Sequence, residues 1–346
     1  MTASNYATRF RRWLPWLGAL LGVVALAWVL RGLDLARFSA VVANADVRFV
    51  LMVPVIVAVE QMVRAWKWRQ LLRPLRSIGT VYLFGAIMAG YLLAVIVPFG
   101  FGTVARSWLV AQREHLKLMA VLATVVLDRL TDGIVFACLV PLAVLLAVFP
   151  DPTGGIRAGL IWGGAGSLIL FVLLLIGLEF YRRRTSDPGV LFKRLGDRLP
   201  AQWAGLVGRL AGSFGEGINW PQSPWRGAGI VVASVVIKLS AAAQFLGSGL
   251  AFGVSLRPAE YLFLMVFLGF LVILGHFLRL TGGFIIAAVF ALGLFGVPDE
   301  QALAMALVVQ ASNLLSVALI GAFALSGQSI AISELRSAKD AKPSIS

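Results

Sequence analysis

Asp128-Arg129-Leu130-Thr131-Asp132 puts three formal charges inside an apolar run from Met119 to Phe149. On a helix, Asp128 and Asp132 are i,i+4 and share a face, and Arg129 and Asp132 are i,i+3. Roughly ten helical residues, about 15 Å, separate them from the nearer end of the run. An intramembrane charge costs at least about 2.5–3.5 kcal/mol on insertion scales. The three therefore require pairing, a wet cavity, or both. Two readings stand. One is an Arg–Asp clamp that fixes helix packing. The other is a polar floor for a charged headgroup or a proton-linked pathway.

Other candidates surround two breaks in the apolar pattern. Pro98-Phe99-Gly100-Phe101-Gly102-Thr103 ends one run, and Arg106 follows one turn on. A helix starting there presents free N–H groups and a favourable dipole to an anion. Gly102 and Thr103, the latter a candidate cap, would join Arg106 in holding a phosphate. The alternative is an arginine snorkelling to the surface. Thr281-Gly282-Gly283 marks a second helix start, with His276 and Arg279 just before it. Arg279 reads as a headgroup contact, and His276 as a packing histidine or a proton relay. Lys238 sits about eleven residues into its own run, as a headgroup contact or a buried structural cation. Glu60 and Arg64 are i,i+4 and are expected to form an ion pair near the interface.

Several chemistries lack their residues. Cys138 is the only cysteine, and His115 and His276 the only histidines. That excludes an intrachain disulfide and argues against a metal site of the usual Cys/His kind. There is no Walker motif, no Gly-x-Ser-x-Gly elbow and no His-x-x-x-x-Asp acyltransferase motif, since Ala120 stands five residues after His115. Neither a cofactor nor enzymatic activity is expected, although Asp128 and Asp132 keep a lipid-modifying acid–base pair as an alternative.

The elements that must position these residues are set by composition. Of 346 residues, 60% are hydrophobic and 13% charged, with a mean hydropathy of +0.90. A soluble domain has about 25% charged residues, so the solvent of this fold is largely lipid. Seven runs are long enough to cross about 30 Å of hydrocarbon. They are Trp13–Leu30, 49–66, 119–149, 158–180, 228–254, 261–280 and 302–325. The first follows Arg9, Arg11 and Arg12 and resembles a signal sequence, but its length favours an uncleaved anchor.

The net charge is +14, from 30 Lys and Arg against 16 Asp and Glu. Most of the basic residues lie in the N-terminus, Arg64–Arg76, Arg106–Lys117, 181–226 and the tail. Placing all of these in the cytoplasm requires 81–97 and 99–112 to form a re-entrant hairpin, and 261–296 another. The expected architecture is thus all-α and polytopic. It has six full crossings, two re-entrant helical hairpins and both termini cytoplasmic. One membrane domain covers 1–327, with 181–226 as a basic loop on anionic lipid. A polar, disordered tail covers 328–346. Nucleic acid is not needed to explain the charge. The hairpins also suggest an inverted repeat, in which Asp128, Arg129 and Asp132 align with Ser312, Asn313 and Ser316.

Gly90, Pro98, Gly102 and Arg106, with Leu127-Asp128-Arg129 and Asp132, resemble the membrane region of lysylphosphatidylglycerol synthases and its free-standing flippase-like relatives. Arg64, Trp68 and Leu71-Leu72 resemble that family's R-x-x-x-W-x-x-L-L run. Leu292–Pro298 and Gln301–Ala304 resemble its last third. The resemblance implies a lipid-handling protein of the bacterial inner membrane. It also implies departures: Ala94 where Asn is usual, Gly100 for Arg, Thr103 for Glu, and Ile285 for a later Glu. In the synthases a separate soluble domain carries out aminoacyl transfer. The residues after Leu325 are too few to hold one, so synthase activity is not expected.

Three functions follow. The first is a flippase or transporter for an anionic or phosphate-bearing lipid. Arg106, Arg129, Arg279 and Lys238 would hold the headgroup, while Asp128, Asp132, Glu60, Arg64 and His276 pair and orient charge. The second is a non-transporting partner of a glycosyltransferase or other envelope-biosynthesis enzyme. The third is a membrane-embedded lipid-modifying enzyme.

Overall fold

The computed structural model describes residues 34–96, 101–184, 201–221, 223–278 and 283–327. Among these residues there are helices and no strands. In chain order they are α1 (Leu35–Ala43), α2 (Val47–Leu72), α3 (Thr80–Ile96), α4 (Phe101–Glu114), α5 (Leu118–Leu146) and α6 (Gly155–Arg184). Then come α7 (Ala201–Gly217), α8 (Pro224–Ala251), α9 (Pro258–Leu278), α10 (Gly283–Gly293) and α11 (Asp299–Gly327). The protein is an all-α polytopic membrane protein.

Five described helices are long and apolar enough to cross a bilayer: α2, α5, α6, α8 and α11. They match five of the six expected crossings. The sixth, Trp13–Leu30, lies outside the described residues, as does the tail at 328–346. Only 11% of the most apolar window of α6 is buried. Leu145, Trp162 and Phe323 are each more than three-quarters exposed. A soluble surface would not carry so many large apolar side chains in the open, whereas acyl chains solvate them.

At both expected hairpins the two helices pack on one another, α3 with α4 and α9 with α10. α4 has 14 residues and α10 has 11, against about 20 for a span, whereas α9 with 21 residues reaches that length. Residues 97–100 and 279–282 lie outside the described residues.

The helix ends follow local chemistry. Asp34 caps α1 by accepting from the N–H groups of Ala36 and Arg37 at 2.9 and 3.2 Å. Asp151 accepts from Arg157 N–H at 2.9 Å at the start of α6. Glu260 reaches back to Arg257 N–H at 2.7 Å before α9, the reciprocal half of a capping box. Gly253, with φ of 70°, closes α8 in the left-handed conformation that glycine adopts without strain.

The chain forms two compact units. The first comprises residues to Val57, Ile134–Ile169 and Val235–Asn313. The second comprises Ala58–Gly133, Leu170–Ser234 and the chain from Leu314. Each long helix passes from one unit to the other part-way along its length, and each unit holds one hairpin. The first unit's core contains an aromatic cluster, with Phe263 against Phe149 at 4.4 Å and against Phe267 at 5.7 Å. The second unit packs Ala65, Trp68 and Leu72 of α2 against Leu83, Ala86 and Ile87 of α3 and Val121 and Val125 of α5.

Two expectations need correction. Lys67 does not lie in a loop after the second span. α2 runs on to Leu72, and the Lys67 side chain is completely buried in it. The 181–226 segment is also not all loop, because α6 continues to Arg184 and α7 occupies Ala201–Gly217.

The α3–α4 pair depends on close backbone approach. A Cβ on Gly90 would lie 2.8 Å from both the Gly102 carbonyl oxygen and Arg106 Cβ. Gly90→Val should therefore push the helices apart and cost about 1–3 kcal/mol. Gly177→Ala, where nothing lies within 4 Å, should be neutral or slightly stabilising. Thermal midpoints of the two variants in detergent check this.

Candidate functional site

The charges within the second unit collect on facing sides of α2, α4 and α5. On α2, Glu60, Arg64 and Lys67 recur at helical spacing, so one face carries all three. Arg64 Nη2 donates to Glu60 Oε1 at 3.3 Å, and Arg64 Nη1 to Asp132 Oδ2 at 2.9 Å. Lys67 Nζ donates to Asp132 Oδ1 at 2.5 Å and to the Asp128 carbonyl oxygen at 3.0 Å. It also lies 3.0 Å from Asp128 Oδ1. Two basic residues of α2 are thereby clamped to two acids of α5. Glu60, Arg64, Lys67, Asp128 and Asp132 are all buried. At such depth the pairing is obligatory, because an unpaired ion would keep its full desolvation cost.

Arg106 behaves differently. It is 1% exposed, so it does not snorkel. Its guanidinium sits 5.0 Å from the Trp68 ring, and Trp68 is fixed by donating Nε1–H to Thr124 Oγ1 at 3.0 Å. Its nearest acid is Asp128, at 3.8 Å from Nη2. That distance is an ion pair without a hydrogen bond. Nε, Nη1 and Nη2 of Arg106 all lack a hydrogen-bond partner, as do both carboxylate oxygens of Asp128. Buried donors are almost always satisfied, so a fork of free N–H groups is a specific feature of this site. Tyr91 of α3 lies within electrostatic range of Arg64, Arg106, Arg129 and Asp128. It is only partly buried.

The other expected residues are placed as follows. Arg129 is exposed and forms no ion pair among the described residues, so the Arg129–Asp132 clamp is not made. One residue along a helix is a rotation of about 100°, which turns Arg129 away from the buried face of Asp128. It remains within electrostatic range of Arg106 and Tyr91. Gly102 is buried at the α3–α4 crossing. Thr103 is the third residue of α4, not its cap. Lys238 belongs to the first unit, where its Nζ lies 5.6 Å from the Phe136 ring centroid. His276 falls in α9, with its side chain outside the described residues, and Arg279 falls outside them altogether. The structure thus brings Glu60, Arg64, Arg106, Asp128 and Asp132 together. It adds Lys67, Trp68 and Tyr91, which the sequence reading did not single out as site residues. Among the described residues, no cluster of His, Cys, Asp and Glu could hold a metal ion.

A profile described as the lysylphosphatidylglycerol synthase TM region matches residues 16–321. The chain belongs to this family. The match takes in every residue of the cluster and both hairpins. No curated protein and no solved structure shows a significant match to the chain. Within the family's pattern, Ala94 stands where the resemblance led to expect a polar residue. Here it lies against the crossing, as a Cβ on Gly102 would meet Ala94 Cβ at 2.6 Å. A longer side chain there would compete for the space that lets α4 approach α3.

The network has a consequence for stability. Lys67→Met removes the cation shared by Asp128 and Asp132 and leaves buried carboxylate charge under-compensated. The expected loss is about 3–5 kcal/mol. Lys117 and Glu216 also pair at 2.6 Å, but their side chains are 60% and 52% exposed. Lys117→Met should cost less than about 1 kcal/mol. Unfolding of both variants in detergent compares them, and equal losses would contradict this reading of the network.

Proposed function

We propose that this protein is a lipid flippase or transporter of the bacterial inner membrane, moving an anionic or phosphate-bearing lipid between leaflets. The observation that carries the reading is Arg106: a buried guanidinium with all three nitrogens free of hydrogen bonds. An arginine fork matches the oxygens of a phosphate in geometry and charge. Trp68 holds the fork from one side. The exposed Arg129 and partly buried Tyr91 lie within electrostatic range of Arg106 and of each other. A headgroup bound there would satisfy donors that the protein leaves unsatisfied.

The surroundings support transport rather than chemistry on the lipid. Asp132 is hydrogen-bonded by Arg64 and Lys67, and the Asp128 carboxylate lies between two cations, Lys67 and Arg106. The broken helices α3–α4 and α9–α10 are the type of element that lines a substrate site at membrane depth. Family membership supports a lipid ligand. The basic residues outside the buried cluster favour an orientation with both termini in the cytoplasm. The partner in this reading is the lipid itself, and no cofactor or nucleic acid is required.

Reconstitution in proteoliposomes with a fluorescently labelled anionic phospholipid tests the proposal. Arg106→Gln should lower leaflet translocation at least about tenfold, since one lost charge-assisted contact is worth about 1.5–3 kcal/mol. Arg37→Gln, which removes an exposed pair with Asp34 on α1, should transport as the wild type does. Unchanged translocation by Arg106→Gln would overturn the assignment.

A further inference from the structure

Asp128 stands in an unusual relation to Arg106. It is completely buried and faces the guanidinium, yet its distance of 3.8 Å is too long for a charge-assisted hydrogen bond. Neither of its carboxylate oxygens has a hydrogen-bond partner. On its other side it lies 3.0 Å from Lys67 Nζ. Lys67 does not depend on that carboxylate, because it also donates to Asp132 and to the Asp128 backbone carbonyl. The Asp128 side chain therefore contributes charge to the site more than it contributes hydrogen bonds.

That charge opposes any second anion on Arg106. At low effective dielectric, two like charges a few ångströms apart repel strongly. A headgroup phosphate that engaged the Arg106 fork would have to do so against the Asp128 carboxylate. We infer that Asp128 is a built-in competitor for the anion at Arg106, which holds the site's affinity low enough for the headgroup to leave. Conduction through a binding site has this general requirement: entry must be favourable, and exit must remain fast. The inference rests on the proposed anion site and assigns Asp128 a specificity-setting role within it. An acid that only supported the fold would have the opposite effect when neutralised.

A double-mutant cycle on the full-length protein tests this. The readout is binding of short-chain phosphatidylglycerol to purified protein in detergent, with the zwitterionic phosphatidylcholine analogue as comparison. Asp128→Asn preserves size and leaves both remaining partners of Lys67 in place, so the fold should survive. It should bind the anionic lipid about tenfold more tightly and the zwitterionic lipid with a smaller gain. Arg106→Gln should weaken anionic binding about tenfold or more. In the double variant the gain from Asp128→Asn should vanish, because the competitor has nothing left to compete for.

Two results would overturn the inference while leaving the anion site intact. One is weaker anionic binding by Asp128→Asn in protein whose elution profile and thermal midpoint match the wild type. The other is a gain that persists without Arg106. Should Asp128→Asn not fold, Asp128→Glu supplies the second test. It retains the charge, and an affinity gain as large as that expected for removing the charge would also overturn the inference. A wild type that binds neither lipid would instead sink the proposed function, and this inference with it.

Discussion

Burying charge in a lipid-facing protein is the constraint on which the second unit depends. Glu60, Arg64, Lys67, Asp128 and Asp132 are all removed from solvent, and each ion carries a desolvation cost of several kcal/mol that only close opposite charge can offset. That requirement fixes how α2 meets α5. Lys67 must reach Asp132 and the Asp128 backbone carbonyl, and Arg64 must bridge Glu60 and Asp132. The helices have little freedom to slide while those contacts hold. The aliphatic core beside them fills space, but it is non-directional and would tolerate other registers.

The α3–α4 pair brings in Arg106, none of whose guanidinium nitrogens has a hydrogen-bond partner. Glycine at 90 and 102 lets the two backbones approach closely, and Arg106 Cβ packs against that crossing. The same contact that builds the hairpin thus sets where the guanidinium stands. Trp68 on α2 then receives it, so hairpin packing and the position of the free donors are one structural event. A site of this kind is built on helices, which hold side chains more precisely than loops do.

Much of this was legible in the sequence. Apolar length marked the long helices, and Pro98 with its neighbouring glycines marked the first break. The pairs Glu60–Arg64 and Asp128/Asp132 followed from i,i+4 spacing alone. Lys67 was hidden by its context: it sits in a run of bases from Arg64 to Arg76 with no acid, which reads as a cytoplasmic loop. The signal that could have found it was helical phase, since 60, 64 and 67 fall on one face. Tyr91 lay in an unbroken apolar run, and nothing local distinguished it from a packing aromatic. The i,i+3 spacing of Arg129 and Asp132 suggested a clamp, but Asp132 is held instead by Arg64 and Lys67 from α2. Partners across helices are long-range facts: Lys67 and Asp132 are 65 residues apart, and no short window contains both.

Together these features describe a buried, charge-matched framework holding one arginine whose donors remain free. The account stands or falls on what occupies those donors in a membrane. The most direct measurement is an experimental structure of the protein in nanodiscs containing anionic phospholipid, at a resolution that places headgroups. The account expects a lipid phosphate within hydrogen-bonding distance of the Arg106 guanidinium. A guanidinium closed onto Asp128 in a direct hydrogen-bonded pair, with no lipid oxygen near it, would contradict the central claim.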